Sequence, residues 1–297
     1  MSIEIGITAM LSPFLSNKNT GLGNVLFQLA STHGLAKTYG RIASYHDIQA
    51  YSRLLKDRFG LDHGTTLYRK FIMPGPCIEY NIHYKEPHNN FAIHDPMVES
   101  LVASHPTKNI RCEGYYQSHK YFHAYREELL DLFSIDDASQ KLIHAKYPIL
   151  FDSSSTCVSI HFRTVWLHGI TMCLEYYKEA IQIIQGRVSN AHFLIFADEI
   201  ETVRPLCATL GISYTIVEQN PDYIDLWTMT LCKHHILSFS TFSWWGAYLN
   251  RSSEKIVLYP YDGLRIVYGL QPEPALLERT THHYFPEWTP LRSKSIL

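Results

Sequence analysis

The run VSIHFR, residues 158–163, begins as a strand and ends on two hydrogen-bond donors. Val158, Ile160 and Phe162 alternate with Ser159, His161 and Arg163, the period-two pattern of a strand. Side chains two apart share a face, so His161 and Arg163 would aim the same way. In parallel α/β sheets, ligands bind beyond the carboxyl ends of the strands. Two donors at such an end suit an anion. The competing role for Arg163 is structural, an ion pair with Asp198 or Glu199 at a neighbouring strand end.

Three more stretches carry chemistry. NTGLGNVLFQLA places Gly21 and Gly23 just before a helix. Glycines there let backbone amides approach an anion, and a helix N-terminus favours negative charge. The same glycines also suit a tight connection and nothing more. Asn24 either caps the helix or points its amide into a cleft. LSFSTFSWWGAYLN sets Ser240, Thr241 and Ser243 at a helix start. Their hydroxyls can cap the helix, meet a phosphate, or do both; Trp244, Trp245 and Tyr248 read as core. FADE ends a strand with Asp198 and Glu199, and Asp225 lies on a helix in DLWTM. A carboxylate there is either a solvated helix start or an acceptor for a guanine edge. His234 and His235 are strand neighbours that point to opposite faces, so no metal site is expected.

These residues need strand ends to stand on. The second half alternates candidate strands (TCVSIHF, AHFLIFA, SYTIVE, HHILSF, KIVLYP) with helical patterns (LEYYKEAIQIIQ, IETVRPLCATLG, PDYIDLWTMTLC, FSWWGAYLN). That alternation predicts right-handed crossovers and a parallel sheet. The first half is less regular: a strand IEIGIT, the helix NVLFQLASTHGLAKTYG, then IASYH, a strand IRCEGYYQ and a helix FHAYREELLDLF. The serine-rich FDSSSTC is the expected boundary, giving α/β domains 1–152 and 153–297 that face a cleft.

Composition excludes some classes. A chain of 297 residues with 46% hydrophobic and 18% charged residues is a folded, globular composition. A net charge of −2 gives no bulk electrostatic case for nucleic acid. No apolar run reaches the roughly 18–20 residues of a membrane span, and no signal peptide is read at the start. Six cysteines without a Cys-x-x-Cys pair read as reduced thiols. A cytoplasmic, intracellular protein is therefore expected.

Taken together, GLGNVLFQLA, GYYQSHKYF, VSIHFR, LEYYKEAI, FADE, STFSWWGAYL and YFPEWTPL resemble, in order, the motifs of the α-1,2-fucosyltransferases of glycosyltransferase family 11. They run from Gly21 to Leu291, nearly the whole chain. The resemblance implies an α/β fold of the GT-B arrangement, two Rossmann-like domains with parallel sheets. It implies an inverting, metal-independent transfer of L-fucose from GDP-β-L-fucose to a glycan hydroxyl, with no cofactor beyond the donor. A galactoside 2-α-L-fucosyltransferase is the expected enzyme. By the same resemblance, Arg163 would contact the donor's pyrophosphate and His161 matches the histidine of the family's His-x-Arg-Arg-x-Asp motif. Asn24, with Gly21 and Gly23, would approach the donor. Ser240, Thr241 and Phe242 match residues that hold the nucleotide, and Asp225 is placed like the acid that meets guanine.

The chain departs from the pattern in four places. Thr164 stands where the family has a second arginine, and Trp166 where it has the aspartate. Val25 replaces a glutamine and His119 a glutamate. A charge-assisted hydrogen bond is worth roughly 1.5–3 kcal/mol, so one lost arginine costs about ten- to a hundredfold in donor binding or rate. Three readings follow: another cation (Arg111, Lys120 or Arg265) replaces it, the donor is a different nucleotide deoxysugar, or the protein is a degenerate relative that binds glycan or nucleotide without turnover.

Overall fold

The computed structural model describes residues 10–13, 21–45, 79–87, 92–164, 174–263 and 273–292. The expected strand IEIGIT, Trp166, Arg265, Cys77 and Cys173 lie outside them. The chain divides into two compact units, Met1–Ser134 with Thr281–His283, and Ile135–Thr280 with Tyr284–Leu297.

The first unit contains β1 (Met10–Pro13), α1 (Leu22–Thr38), β2 (Ile42–Ala43), β3 (Ile82–Lys85), α2 (Pro96–Ser104), β4 (Ile110–Glu113) and α3 (Arg126–Leu132). The strands form one parallel sheet in the order β2-β1-β4-β3. Helix α1 buries residues on nearly every side, Val25, Leu26, Phe27, Leu29 and Ala30 among them. Val25, which departs from the family pattern, is thus a core residue. α2 starts at Asp95, whose carboxylate caps the N–H of Met97 at 2.9 Å, with Pro96 at the first helical position.

The second unit contains α4 (Asp137–Lys146), β5 (Thr156–Phe162), α5 (Leu174–Arg187), β6 (Ala191–Ala197), α6 (Ile200–Cys207), β7 (Tyr214–Ile216), α7 (Asp222–Thr230), β8 (His234–Ile236), α8 (Thr241–Leu249), β9 (Val257–Pro260), α9 (Glu273–His283) and β10 (Thr289–Leu291). The last turn of α9 clusters with the first unit. The sheet is parallel throughout, ordered β10-β9-β8-β5-β6-β7. Strands β5 and β6 match the expected segments TCVSIHF and AHFLIFA residue for residue. Sequence reading set the division at 152/153. Residues from Ile135 already cluster with the second unit, because Ile143 of α4 packs with Leu194 and Phe196 of β6.

Both faces of this sheet are covered. Val158, Ile160 and Phe162 pack with Tyr176, Tyr177, Ala180 and Ile184 of α5. Cys157, Leu194 and Phe196 point the other way, toward Ile224 and Met229 of α7. Period-two alternation in a strand buried on both sides produces this split. The polar Ser159 and His161 share the face of Cys157.

Candidate functional site

The six-stranded sheet reverses its strand order at one place. From β5 the chain runs outward through β6 and β7, then returns to β8 on the other side of β5. The crevice beyond β5 and β8 is a topological switch point, where α/β sheets bind ligands. Arg163 and Thr164 follow β5, and residues 237–240 link β8 to α8.

His161 does not face solvent with Arg163. It is buried, and its Nδ1 lies 2.6 Å from Ser238 Oγ. One step back along the strand, His235 Nδ1 is 2.8 Å from Ser159 Oγ. The polar half of VSIHFR therefore ties β5 to β8 across the switch. Burial lowers the His161 pKa to about 3, with Asp198 opposing and Arg163 adding to the shift. The ring stays neutral at physiological pH and supplies no positive charge to an anion.

Arg163 has a carboxylate beside it. Its Nη1 is 3.0 Å from Asp198 Oδ2, with the arginine side chain 28% and the aspartate 10% exposed. Thr164 donates to Asp198 Oδ1 through both its backbone N–H and its hydroxyl, each at 2.7 Å. The residue that stands in place of the family's second arginine thus helps fix an aspartate, which in turn orients the first arginine. The expected nucleotide contact Asp198 is engaged in this clamp.

Ser240 caps α8, accepting from the N–H of Phe242 at 3.2 Å. Thr241 opens the helix, and the Phe242 ring lies 5.5 Å from that of His161. Trp244 and Trp245 are fully buried, as expected. Asp225 lies in the first turn of α7, after the edge strand β7. Its Oδ1 accepts from Asn220 Nδ2 at 2.8 Å. Lys146 pins that loop through Glu218 O at 2.8 Å and Asn220 Oδ1 at 2.7 Å.

Gly21, Gly23 and Asn24 belong to the first unit. Gly21 is the N-cap of α1, with the N–H groups of Asn24 and Val25 bonded to its carbonyl. Asn24 therefore does not cap the helix. Its Oδ1 accepts from Gln117 Nε2 at 2.9 Å. In this sheet β1 and β4 are neighbours. Asn24 follows β1 and Gln117 follows β4, so this hydrogen bond joins the ends of two adjacent strands.

Several residues of the site were not anticipated. Tyr177 Oη donates to His161 O at 2.8 Å, and Tyr176 Oη donates to Leu237 O at 2.6 Å. One pair of tyrosines from α5 thus holds the ends of both β5 and β8. The signal was present in LEYYKEAI: two buried phenols on an amphipathic helix each need an acceptor. Ser238, Lys146 and Asn220 carried no such sign. Of the proposed replacement cations, Arg111 lies over the Tyr80 ring at 5.1 Å. No cluster of three or more His, Cys, Asp or Glu side chains suited to a metal occurs among the described residues.

A profile described as Glycosyl transferase family 11 matches residues 44–263. The chain belongs to glycosyl transferase family 11. It is a glycosyltransferase. Among family-related proteins, it is 24% identical to an α-1,2-colitosyltransferase of Escherichia coli over 81% of this chain and 88% of that one. It is 25% identical to a galactoside α-(1,2)-fucosyltransferase 2 of Pongo pygmaeus over 90% of this chain and 76% of that one. A mutant Arabidopsis thaliana FUT1 in complex with GDP shares the fold, with a TM-score of 0.52 and 13% identity over 92% of this chain and 73% of that one. This family 11 chain thus has the GT-B class of fold, with two Rossmann-like units each built on a parallel sheet. No helix among the described residues is long and apolar enough to cross a membrane.

Proposed function

We propose that the protein transfers fucose, or a related deoxysugar such as colitose, from a GDP-activated donor to a glycan hydroxyl in α-1,2 linkage with inversion. The observation that carries this is the switch point of the six-stranded sheet, where Arg163 stands beyond β5 and the Ser240-capped start of α8 stands beyond β8. Arg163 and the α8 start would hold the diphosphate. Asp225 follows β7, two strands from β5, and strand spacing puts these about 10 Å apart, a gap a nucleoside diphosphate spans. Asp225 would then meet the guanine edge. Both named relatives make α-1,2 linkages, one with colitose and one with fucose.

In the reaction, the acceptor oxygen forms its bond to the anomeric carbon on the face opposite the diphosphate. The bond to the diphosphate oxygen breaks, its electron pair leaves with GDP, and the hydroxyl proton is released. The transition state has oxocarbenium character. Arg163 offsets charge growing on the leaving group. Gly21, Gly23 and Asn24 would approach the donor. Neutral His161 positions Ser238 and the β5–β8 crevice and neither takes nor gives the reacting proton. No cofactor enters the scheme. The four described cysteines are buried and unpaired, which supports an intracellular, cytoplasmic setting.

Calorimetry with GDP and UDP, followed by a product assay with GDP-fucose and a galactoside, tests this. GDP should bind more tightly than UDP, and turnover should yield GDP and an α-1,2-linked product. UDP binding without GDP binding would reject the donor. The Arg163–Asp198 pair favours one second reading, a relative that binds nucleotide or glycan without turnover; GDP affinity with no product would select it.

A further inference from the structure

Glu86 follows β3 and touches the turn that follows β4. Its N–H donates to Glu113 O at 2.7 Å. Its Oε2 accepts from the N–H of Tyr115 at 2.8 Å and of Tyr116 at 3.1 Å. The residue is 9% exposed, and Oε1 is buried with no hydrogen-bond partner. The turn is shaped around this carboxylate. Gly114 has φ +156°, and a Cβ there would stand 2.4 Å from Glu86 Cβ. Tyr116 has φ +49°, a backbone conformation that persists in a non-glycine residue only when its surroundings impose it.

The other side of the turn is held by α1. Asn24, Gln28 and Ser31 lie four and three residues apart, on one helix face. Gln28 Nε2 donates to Gly114 O at 2.7 Å and Ser31 Oγ to Tyr116 O at 2.9 Å. Gln117 Nε2 donates to Asn24 Oδ1. Glu86 therefore reaches Asn24 through the 114–117 turn, beyond the ends of the adjacent strands β1 and β4.

We propose that Glu86 is a positioning residue for sugar transfer: by holding the 114–117 turn it sets the Asn24 side chain. This rests on the reading of Asn24 as a donor-facing group. Among the described residues, the titratable groups that interact with Glu86 are Asp95, Tyr84, Cys112, Tyr116 and Tyr121, none of them cationic. Burial raises its carboxyl to about 7, opposed by the two backbone N–H bonds. The closed turn is thus most stable with the proton on. That stability is complete below the unfolded pKa near 4.5 and is lost as pH rises through about 7.

Two measurements on the full chain test this. The first is hydrogen exchange of the 110–122 segment and of the α1 start at pH 6 and pH 8, corrected for intrinsic rates. Wild-type protection should fall about tenfold over that step, given the linkage between the two pKa values. Glu86→Gln should be insensitive to pH, and Glu86→Ala should be unprotected at both. The second is kcat. Glu86→Ala should lose on the order of a hundredfold, as misplaced reacting groups do. Glu86→Gln should restore most of it, and Glu86→Ala with Asn24→Ala should be no worse than Asn24→Ala alone. Losses that multiply, or an α1 start unaffected by Glu86→Ala, would overturn the proposal. A wild-type protein with no turnover would instead overturn the functional reading and the catalytic half of this one, whatever the exchange result.

Discussion

Arg163 has to serve two carboxylate-like partners if the donor binds where proposed. Asp198 holds one guanidinium nitrogen at 3.0 Å, and a diphosphate would share the rest. A charged hydrogen bond is worth about 1.5–3 kcal/mol, and the sharing sets the expected loss for Arg163→Ala near the lower value. Arg163→Lys should recover only part, since a point charge does not reproduce the planar fork. Guanosine affinity should barely change. If titrations show GDP and guanosine losing affinity equally, the arginine is structural and acts through Asp198 alone. Residue types made this pair visible in the sequence, and both of its roles were readable from HFRT and FADE. The orientation of His161 was not. A strand residue two before an arginine shares its face only while the strand continues, and β5 ends at Phe162. His161 was therefore left facing Ser238 inside the protein, while Arg163 turned to β6.

At the scale of elements, long periodic segments were the legible ones. Strands β5 and β6 are bounded by polar turns and buried on both faces, so their apolar runs had clean limits. α2 and α4 were not anticipated; each buries only two residues, Val98 and Val102 in one and Ser139 and Ile143 in the other. Gly21 and Gly23 suit either an anion loop or a tight connection, and Gly34, further along α1, is as telling. A Cβ there would meet Tyr121 O at 2.0 Å and Phe122 Cα at 2.7 Å. Alanine gains about 1 kcal/mol in helix propensity, yet overpacking costs about 1–3 kcal/mol. The obstacle is backbone and cannot rotate aside, so the clash wins. Gly34→Ala should lower the urea midpoint by an amount equivalent to up to about 2 kcal/mol, with the m-value unchanged. A raised midpoint would refute the close approach of α1 to residues 121–122.

At the scale of the molecule, each unit holds histidines that burial keeps neutral, and this sets how the whole responds to acid. Burial lowers His161 to about 3 and His283 and His119 to about 4, with His123 and then His283 adding to the shift at His119. His235 is also pushed well below its ordinary value by burial. Two of these lie in each unit. Their positions were plain in a chain with 17 histidines, but burial decides their chemistry, and burial follows from tertiary packing that no local pattern encodes. A histidine whose folded pKa is depressed binds its proton only on unfolding. The stability it contributes is complete above about 6.5 and is lost as pH falls toward 3–4. Glu86 has the opposite sign, because its raised pKa favours the folded state at lower pH. Between pH 6.5 and 4.5 the four histidines outnumber it. Each unmatched proton is worth about 1.4 kcal/mol per pH unit, so the net slope is a loss of up to ~4 kcal/mol per unit of acidification. Calorimetry should therefore show the melting temperature falling steadily from pH 7 to pH 5, with amide protection weakening in both units together. A melting temperature that holds or rises over that range would mean these histidines take up protons within the fold, and the account of neutral buried histidines would fail with it.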